Sequence, residues 1–176
     1  MLEELKSIDS SVIEELMEIK RERETIAERL AKMEAEKEQV SDVVYRRVKR
    51  DYQSKSTGLE RKAAPLKDRA KAEYVKLKSL IDRLESQHQS TRLDREEVDF
   101  RNRLGEFEKK QFEARVEELD RTLSEQEADL AEAAEVRDRF VEAFDSEEEL
   151  ASGAPTPAPP EPEPEAEEPA ADEAKG

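Results

Sequence analysis

The fold is decided by residues 12–33, which read VIEELMEIKRERETIAERLAKM. Apolar residues recur in this stretch at alternating steps of four and three, and most positions between them are Glu, Lys or Arg. This heptad pattern places one apolar stripe along a helix and leaves the remaining surface in water. It predicts a coiled-coil helix whose seam faces another helix. The steps run through Val12, Leu16, Ile19, Arg23, Ile26, Leu30, Met33, Lys37, Val40 and Val44.

The same spacing returns near the carboxyl end of the chain and, less regularly, in the middle. The late stripe runs from Phe112 to Phe144, and the middle stripe from Leu59 to Leu84. A second stripe begins beside the middle one at Tyr74, which indicates contact with two partner helices. We therefore predict an all-α fold, a long antiparallel coiled coil of about three helices. The seam residues expected to build it are Val12, Leu16, Ile19, Ile26, Leu30, Met33, Leu77, Leu84, Phe112, Val116, Leu119, Leu123, Leu130, Phe140 and Phe144.

Two breaks in the pattern divide the chain into helices. The heptad register slips around residues 39–42, where Ser41 or Asp42 can cap a new helix. Gly105 after Leu104 can close another helix, because glycine tolerates the left-handed conformation. These breaks predict helices over residues 2–39, 42–104 and 108–147.

Two soft spots lie inside the long middle helix. Pro65 removes one backbone hydrogen bond from a helix interior and clashes with the preceding turn, at a cost of ~3 kcal/mol. We expect a kink there; the alternative is a break at residues 57–64, with Pro65 in the first turn of a new helix. The second spot is residues 86–91, which contain no apolar side chain and in which Thr91 can cap a further helix.

After Leu150 the composition changes completely. Residues 151–176 contain seven prolines interleaved with Glu and Ala, and they carry seven acidic residues against one lysine. Proline at this density excludes helix and sheet, and the like charges extend the chain. We therefore predict two regions, an antiparallel coiled coil over residues 1–150 and a disordered acidic proline-rich tail over residues 151–176.

The composition argues against an enzyme and against a bound cofactor. Charged residues make up 44% of the chain and hydrophobic residues 35%, which suits a narrow seam between helices and not a wide core with a pocket. The chain has no Cys and a single His, which excludes thiolate metal sites and makes His88 a structural or surface residue. No apolar run is long enough for a membrane span or a signal peptide, so we expect a cytoplasmic protein.

Charge is distributed unevenly along the chain. The net charge is −16, yet residues 41–81 carry 12 Lys and Arg against 5 Asp and Glu. An antiparallel fold lays this basic segment between two acidic arms, where opposite charges beside the seam set the orientation of the helices. The alternative is that residues 46–78 attract the phosphates of nucleic acid, which the acidic balance of the whole chain disfavours.

The two predicted bends are similar to each other. Residues 40–45 and 107–112 each place an apolar residue five positions before an aromatic one. In this the chain resembles bacterial antiparallel coiled-coil hairpin proteins, including the hairpin half of proteins that end in a four-cysteine zinc ribbon. The resemblance covers residues 1–147 and implies the hairpin fold. It does not carry over the function of the ribbon, since the chain contains no cysteine.

These features favour a non-enzymatic adaptor or scaffold that binds other proteins through the ends of the rod and through the tail. A homo-oligomer is also open, because identical seams can close within one chain or between two. Two alternatives come from other functional classes. One is a chaperone or a component similar to the stalk of a secretion apparatus, and the other is a nucleic-acid-associated protein that uses residues 46–78.

Overall fold

The predicted stripes fall on three long helices, and the first stripe continues past the end of its helix into the next one. A computed structural model describes residues 2–152, and within them every regular element is helical. A short 3₁₀ helix at Lys37–Gln39 separates the first two α-helices from the other three. The α-helices are α1 (Leu2–Lys6), α2 (Ser11–Ala35), α3 (Asp42–Arg103), α4 (Lys109–Glu142) and α5 (Glu147–Ala151). The all-α prediction is confirmed.

Two expectations from the sequence concern the tail and the membrane. The disorder predicted over residues 151–176 falls, from residue 153 onward, outside the described residues. Among the helices of residues 2–152, none combines the length and the apolar character needed to cross a bilayer.

Helix α3 is the spine of the molecule. Its 62 residues extend ~93 Å at ~1.5 Å per residue, whereas α2 and α4 contain 25 and 34 residues. Because neither neighbour can cover all of α3, α2 lies along its amino-terminal part and α4 along its carboxyl-terminal part. The packing with α4 is antiparallel, since Asp120 pairs with Arg95 whereas Phe140 lies against Tyr74.

The core lies where the start of α2 and the end of α4 overlap on the middle of α3. Leu16, Leu77 and Phe140 come from these three helices and are almost completely buried. The ring centroids of Tyr74 and Phe140 are 6.1 Å apart. Burying each large side chain contributes roughly 1.5–3 kcal/mol, so this cluster holds the three helices together. Its other buried members are Leu5, Ile8, Val12, Ile13, Ile19, Ala63, Ala70, Leu80, Leu84, Ala133, Ala143, Phe144 and Leu150.

The helix predicted over residues 2–39 is interrupted between α1 and α2, so that prediction was wrong at this point. The carboxylate of Asp9 accepts hydrogen bonds from the backbone N–H and the hydroxyl of Ser11, at 3.0 and 2.6 Å. These local bonds compete with the helical ladder and stop it. The backbone N–H of Asp9 donates in turn to the carboxylate of Glu73 on α3 at 3.0 Å, which fixes the break against the spine.

The helix predicted over residues 108–147 ends earlier in the structure than was predicted. α4 stops at Glu142, and α5 begins after a turn. Lys20 of α2 caps this end, since its Nζ donates to the backbone carbonyls of Glu142 and Phe144 at 2.8 and 3.1 Å. The hydroxyl of Ser146 then starts α5 by accepting a hydrogen bond from a backbone N–H of that helix at 3.1 Å.

Helix α3 matches its predicted bounds of 42–104 to within one residue and has no interruption. The alternative break at residues 57–64 is therefore wrong, and Pro65 lies inside the helix on its exposed surface. The kink expected there stays a prediction. The second soft spot is helical as well, because the hydroxyl of Thr91 donates to the carbonyl of Gln87 at 3.0 Å and caps no new helix.

Leu77→Ala should destabilise the fold strongly, because the side chain is fully buried between three helices. We expect the free energy of unfolding to fall by about 2–5 kcal/mol, from lost hydrophobic transfer and from the cavity left behind. Chemical unfolding followed by circular dichroism measures the change. The matched control is Leu93→Ala on the exposed surface of the same helix, where a change within about 0.5 kcal/mol is expected. Equal losses in the two variants would contradict this assignment of the core.

Lys20→Met should loosen the end of α4, because two hydrogen bonds from a charged donor to backbone carbonyls are lost. The expected cost is about 1–2 kcal/mol, and amide hydrogen exchange in residues 139–144 should accelerate. Arg21→Met is the control, since Arg21 is exposed and makes no side-chain hydrogen bond or ion pair within residues 2–152. If both variants exchange alike, the lysine does not hold this helix end.

Acid should weaken the contact between the α1–α2 break and α3. Hydrogen bonds from Lys76 and from the backbone of Asp9 lower the pKa of Glu73 from its ordinary value of 4.5. A carboxylate with a lowered folded-state pKa stabilises the fold above its ordinary pKa, and this contribution is lost as pH falls through the folded value. The stability of Glu73→Gln should therefore fall less steeply than that of the wild type between about pH 5 and pH 2.

Thermal melts across that range measure the difference. Glu96→Gln is the control and should follow the wild type, because Glu96 is exposed and its side chain has no polar partner within the described part of the chain. Parallel pH profiles for the wild type and Glu73→Gln would show that this carboxylate does not contribute.

Candidate interaction surfaces

Away from the core, the molecule is only two helices thick. The end of α2 pairs with the start of α3, where Arg23 lies 3.8 Å from Glu60. The start of α4 pairs with the end of α3, where Arg95 lies 2.8 Å from Asp120. These regions are termed the α2–α3 arm and the α3–α4 arm. Each helix in an arm has one neighbour, so most of its surface faces water.

The predicted seam residues divide according to their place in the molecule. Those nearest the core are mostly buried and those toward the ends of the arms are half-buried, because one neighbouring helix covers less of a side chain than two. The buried residues are Val12, Leu16, Ile19, Ile26, Leu77, Leu84, Phe140 and Phe144. The half-buried residues are Leu30, Met33, Phe112, Val116, Leu119, Leu123 and Leu130.

Some core residues were not among the predicted seam residues. Leu5 and Leu150 belong to the short helices α1 and α5, which are too short to show a periodicity. Ile13 is fully buried beside Val12. The adjacent apolar pair was the available signal, because two neighbouring stripes on one helix indicate that two helices pack against it.

An exposed apolar cluster lies at the end of the α2–α3 arm. Val40, Val43, Val44 and Val48 are 47%, 68%, 45% and 37% exposed, and they are termed the valine cluster. The heptad pattern had placed Val40 and Val44 in the seam. The structure buries Tyr45 there instead.

Tyr45 occupies the seam because its hydroxyl and its ring both find partners. The hydroxyl donates to the carboxylate of Glu34 on α2. The ammonium groups of Lys37 and Lys49 lie 5.2 and 5.7 Å from the ring centroid. The hydrogen bond from the Tyr45 hydroxyl to the Glu34 carboxylate raises the pKa of Tyr45 and lowers the pKa of Glu34. Val44 can make neither contact, so the register shifts by one residue and the valines face solvent.

A second exposed apolar cluster lies at the end of the α3–α4 arm. Leu93, Phe100 and Leu104 are 54%, 58% and 62% exposed, and they are termed the Leu/Phe cluster. Their spacing of seven and four residues places them on one face of the helical segment. Val98 points to the opposite side and is buried. A row of large apolar side chains on an exposed helix face is typical of a binding surface.

The bend beside the Leu/Phe cluster is tightly held. Gly105 has a φ of 79°, the left-handed conformation that was predicted to close α3. The backbone N–H of Glu106 donates to the carbonyl of Arg101 at 3.2 Å. The Arg101 side chain pairs with Glu106 at 3.0 Å and with Glu97 at 2.7 Å. These bonds fix the end of the arm and keep the cluster in a defined orientation.

The seam of the α3–α4 arm contains polar contacts. The amide of Gln126 donates to the hydroxyl of Thr91 at 3.0 Å, and Nε2 of His88 lies 3.4 Å from a carboxylate oxygen of Glu127. Polar pairs in a seam fix the register of the two helices. His88 is thus placed as a half-buried residue of the seam. Within residues 2–152, no group of three or more His, Cys, Asp or Glu is arranged to hold a metal ion.

Both sides of the α2–α3 arm are grooved, because no third helix fills the space beside its seam. The groove on the side of α4 has a volume of about 230 Å³ and is termed the α4-side groove; it is lined by Lys20, Arg23, Glu24, Ile26, Ala27, Leu30, Ser56 and Asp145. The groove on the opposite side has a volume of about 750 Å³ and is lined by Glu18, Arg21, Glu22, Thr25, Ile26, Arg29, Lys55, Gly58, Leu59 and Lys62.

The basic segment of α3 meets acidic partners from other parts of the chain mainly near the core. Arg69 pairs with Asp9 at 3.3 Å, and Lys67 pairs with Glu149 at 2.8 Å. Toward the amino-terminal end of α3, Lys55 pairs instead with a carboxylate of the same helix at 3.2 Å. Arg46 likewise pairs with Asp42 of its own helix, so this end of the segment is held by local contacts.

Comparison of the chain with protein families, with curated proteins and with solved structures found no match. The resemblance to bacterial coiled-coil hairpin proteins therefore stays a prediction.

Proposed function

We propose that the protein is a non-enzymatic coiled-coil adaptor or scaffold that binds other proteins through the two ends of its rod. The observation that supports this is the presence of the valine cluster at one end and the Leu/Phe cluster at the other. Covering apolar surface contributes roughly 25 cal/mol per Å², so both clusters favour association with a partner. The proposed location is the cytoplasm, which the absence of cysteine fits.

The distance between the two clusters is large enough to keep two bound partners apart. Val43 and Leu104 stand at the two ends of α3 and are separated by ~90 Å of uninterrupted helix at ~1.5 Å per residue. Two partners bound at these ends would not touch each other. A continuous helix through Pro65 keeps the separation fixed, as a scaffold requires.

The shape of the Leu/Phe cluster favours a helical or grooved partner. Side chains at spacings of seven and four form the stripe that an amphipathic helix presents in helix-in-groove recognition. Three side chains cover little area compared with the ~800 Å² that each partner buries in a stable interface. The cluster alone therefore fits a transient partner, or it forms the centre of a larger contact with charged residues at its rim.

Replacing the Leu/Phe cluster should weaken the binding of at least one partner. The variant Leu93→Ser, Phe100→Ser and Leu104→Ser removes the exposed apolar surface and leaves the buried seam intact. Tagged wild-type and variant proteins are incubated with lysate of the source organism, and the retained proteins are quantified by mass spectrometry. We expect at least one protein retained by the wild type to fall roughly tenfold or more in the variant, as the loss of ~1.4 kcal/mol or more implies.

Val75→Ser is the matched control, because Val75 is equally exposed but lies on the shaft of α3 away from both ends. Its retained proteins should equal those of the wild type. Circular dichroism verifies that every variant is folded, and light scattering reports whether the cluster joins two copies of the chain instead. An unchanged set of retained proteins in the triple variant would refute the role of this end.

A further inference from the structure

The larger groove of the α2–α3 arm is an uncovered channel between two helices. It has a volume of about 750 Å³, lies on the side of the arm away from α4, and is termed the large groove. Its apolar floor is formed by Ile26 of α2 and Leu59 of α3. In the core, α2 and α3 are covered by a third helix, since Phe140 of α4 is fully buried there. Within residues 2–152 no third helix covers the large groove.

Gly58 keeps the large groove open. It is an exposed residue inside α3, where glycine weakens a helix relative to alanine. A Cβ added at this position would have no heavy atom within 4 Å, so the packing of the described helices does not require glycine. Glycine does serve where a group from outside must approach the backbone closely. Gly58 leaves such a space beside Leu59.

The wall that α3 contributes to the large groove is basic. It contains Lys55 and Lys62 and no acidic residue. The side chain of Lys62 has no polar partner within residues 2–152. Lys55 pairs with Asp51 of the same helix at 3.2 Å and lies 5.6 Å from the ring centroid of Tyr52. Both side chains of the Lys55–Asp51 pair are mostly exposed, and exposed pairs are weak, so each lysine can still contact a carboxylate from outside.

The two lysines are one heptad apart. Seven residues of helix correspond to ~10.5 Å, so Lys55 and Lys62 lie on one face of α3 with Gly58 between them. In coiled coils, charges at this spacing beside an apolar seam select a helix that carries opposite charges at the same spacing. The wall from α2 is less selective, because its two arginines are matched in number by two glutamates. The α3 wall therefore favours an acidic partner.

We propose that the large groove binds an amphipathic helix of a partner protein, one that carries two acidic residues seven positions apart beside its apolar stripe. The acidic side chains contact Lys55 and Lys62. An apolar side chain between them packs on Ile26 and Leu59, in the space left by Gly58. The partner helix completes a three-helix arrangement along the arm, as α4 does over the core. The site lies on the side of the arm and not at an end of the rod, so the inference does not rest on the adaptor proposal.

A partner helix fits this groove better than a second copy or a nucleic acid. In a symmetric dimer formed through the groove the same surface faces itself, so lysines would lie against lysines. A phosphate backbone would place charge over the apolar floor and beside the two glutamates of the α2 wall. An acidic helix with an apolar stripe matches both the lysines and the floor.

Two synthetic peptides test the proposal with the full chain. Each is an Ala-rich peptide of ~18 residues with a leucine stripe, a length at which such a helix is stable in water. One peptide carries two glutamates seven positions apart beside the stripe, and the other carries lysines at the same positions. Nuclear magnetic resonance follows the amide signals of the chain as each peptide is added. The glutamate peptide should shift the signals of residues 21–29 and 55–62 and bind roughly tenfold more tightly than the lysine peptide.

Substitutions in the chain make the test specific. Gly58→Leu fills the groove without a steric conflict, so it should weaken binding of the glutamate peptide by about tenfold or more while circular dichroism shows an unchanged helix content. Lys55→Glu with Lys62→Glu should reverse the preference, so that the lysine peptide binds more tightly. Arg92→Glu with Arg103→Glu makes the same change of charge in the other arm. This control should keep the preference of the wild type.

Several results would overturn the proposal. They are an absence of shifts at residues 21–29 and 55–62, equal affinity for the two peptides, and equal affinity of Gly58→Leu and the wild type. A dimer in light scattering that Gly58→Leu dissociates would assign the groove to a second copy. Duplex DNA that shifts the same signals at lower concentration than the peptide would assign the lysines to nucleic acid. Shifts confined to residues 93–104 would locate the binding at the Leu/Phe cluster instead.

Discussion

The structure depends on the difference in length between α3 and the helices that cover it. α2 and α4 overlap only on the middle of the 62-residue spine, so three apolar stripes meet only there. Hydrophobic stabilisation follows the apolar area removed from water, and most of it is therefore concentrated in this short region. The arms have one neighbour for each helix and keep their outer faces in water. Exposed ends and open grooves are consequences of this single mismatch.

Periodicity was sufficient for the parts of the fold in which a side chain simply faces a neighbouring helix. It predicted the all-α class, the bend at Gly105 and the bounds of α3, because each depends on residues close together in the sequence. It placed the ends of the outer helices wrongly. The end of α4 is set by Lys20, more than a hundred residues away, and the break before α2 is held against α3 by Glu73. Periodicity contains no information on such bonds.

The candidate surfaces were predictable in position and not in detail. Any long helical hairpin has two ends, so the positions of the candidate surfaces could be predicted. The heptad pattern was continued through the turn, however, and this wrongly assigned Val44 to the seam. The choice between Val44 and Tyr45 is made by Glu34 and Lys37, which belong to the other side of the turn. Two adjacent apolar residues are equivalent in a periodic pattern. They differ only when a hydroxyl and an aromatic ring meet a carboxylate and an ammonium group.

Charges serve different purposes in the core and at the ends. Across the core, Arg139 of α4 pairs with Glu14 of α2 at 2.5 Å, and Arg69 of α3 pairs with Asp9. Exposed pairs of this kind contribute at most about 1 kcal/mol each, so they act mainly by favouring one arrangement of the helices over others. At the amino-terminal end of α3 the contacts are local, since Arg46 pairs with Asp42 of the same helix and the ammonium group of Lys49 lies 5.7 Å from the ring centroid of Tyr45. Charges at this end act within α3 and across the short turn before it, so the α2–α3 arm uses local contacts where the core uses pairs between distant parts of the sequence.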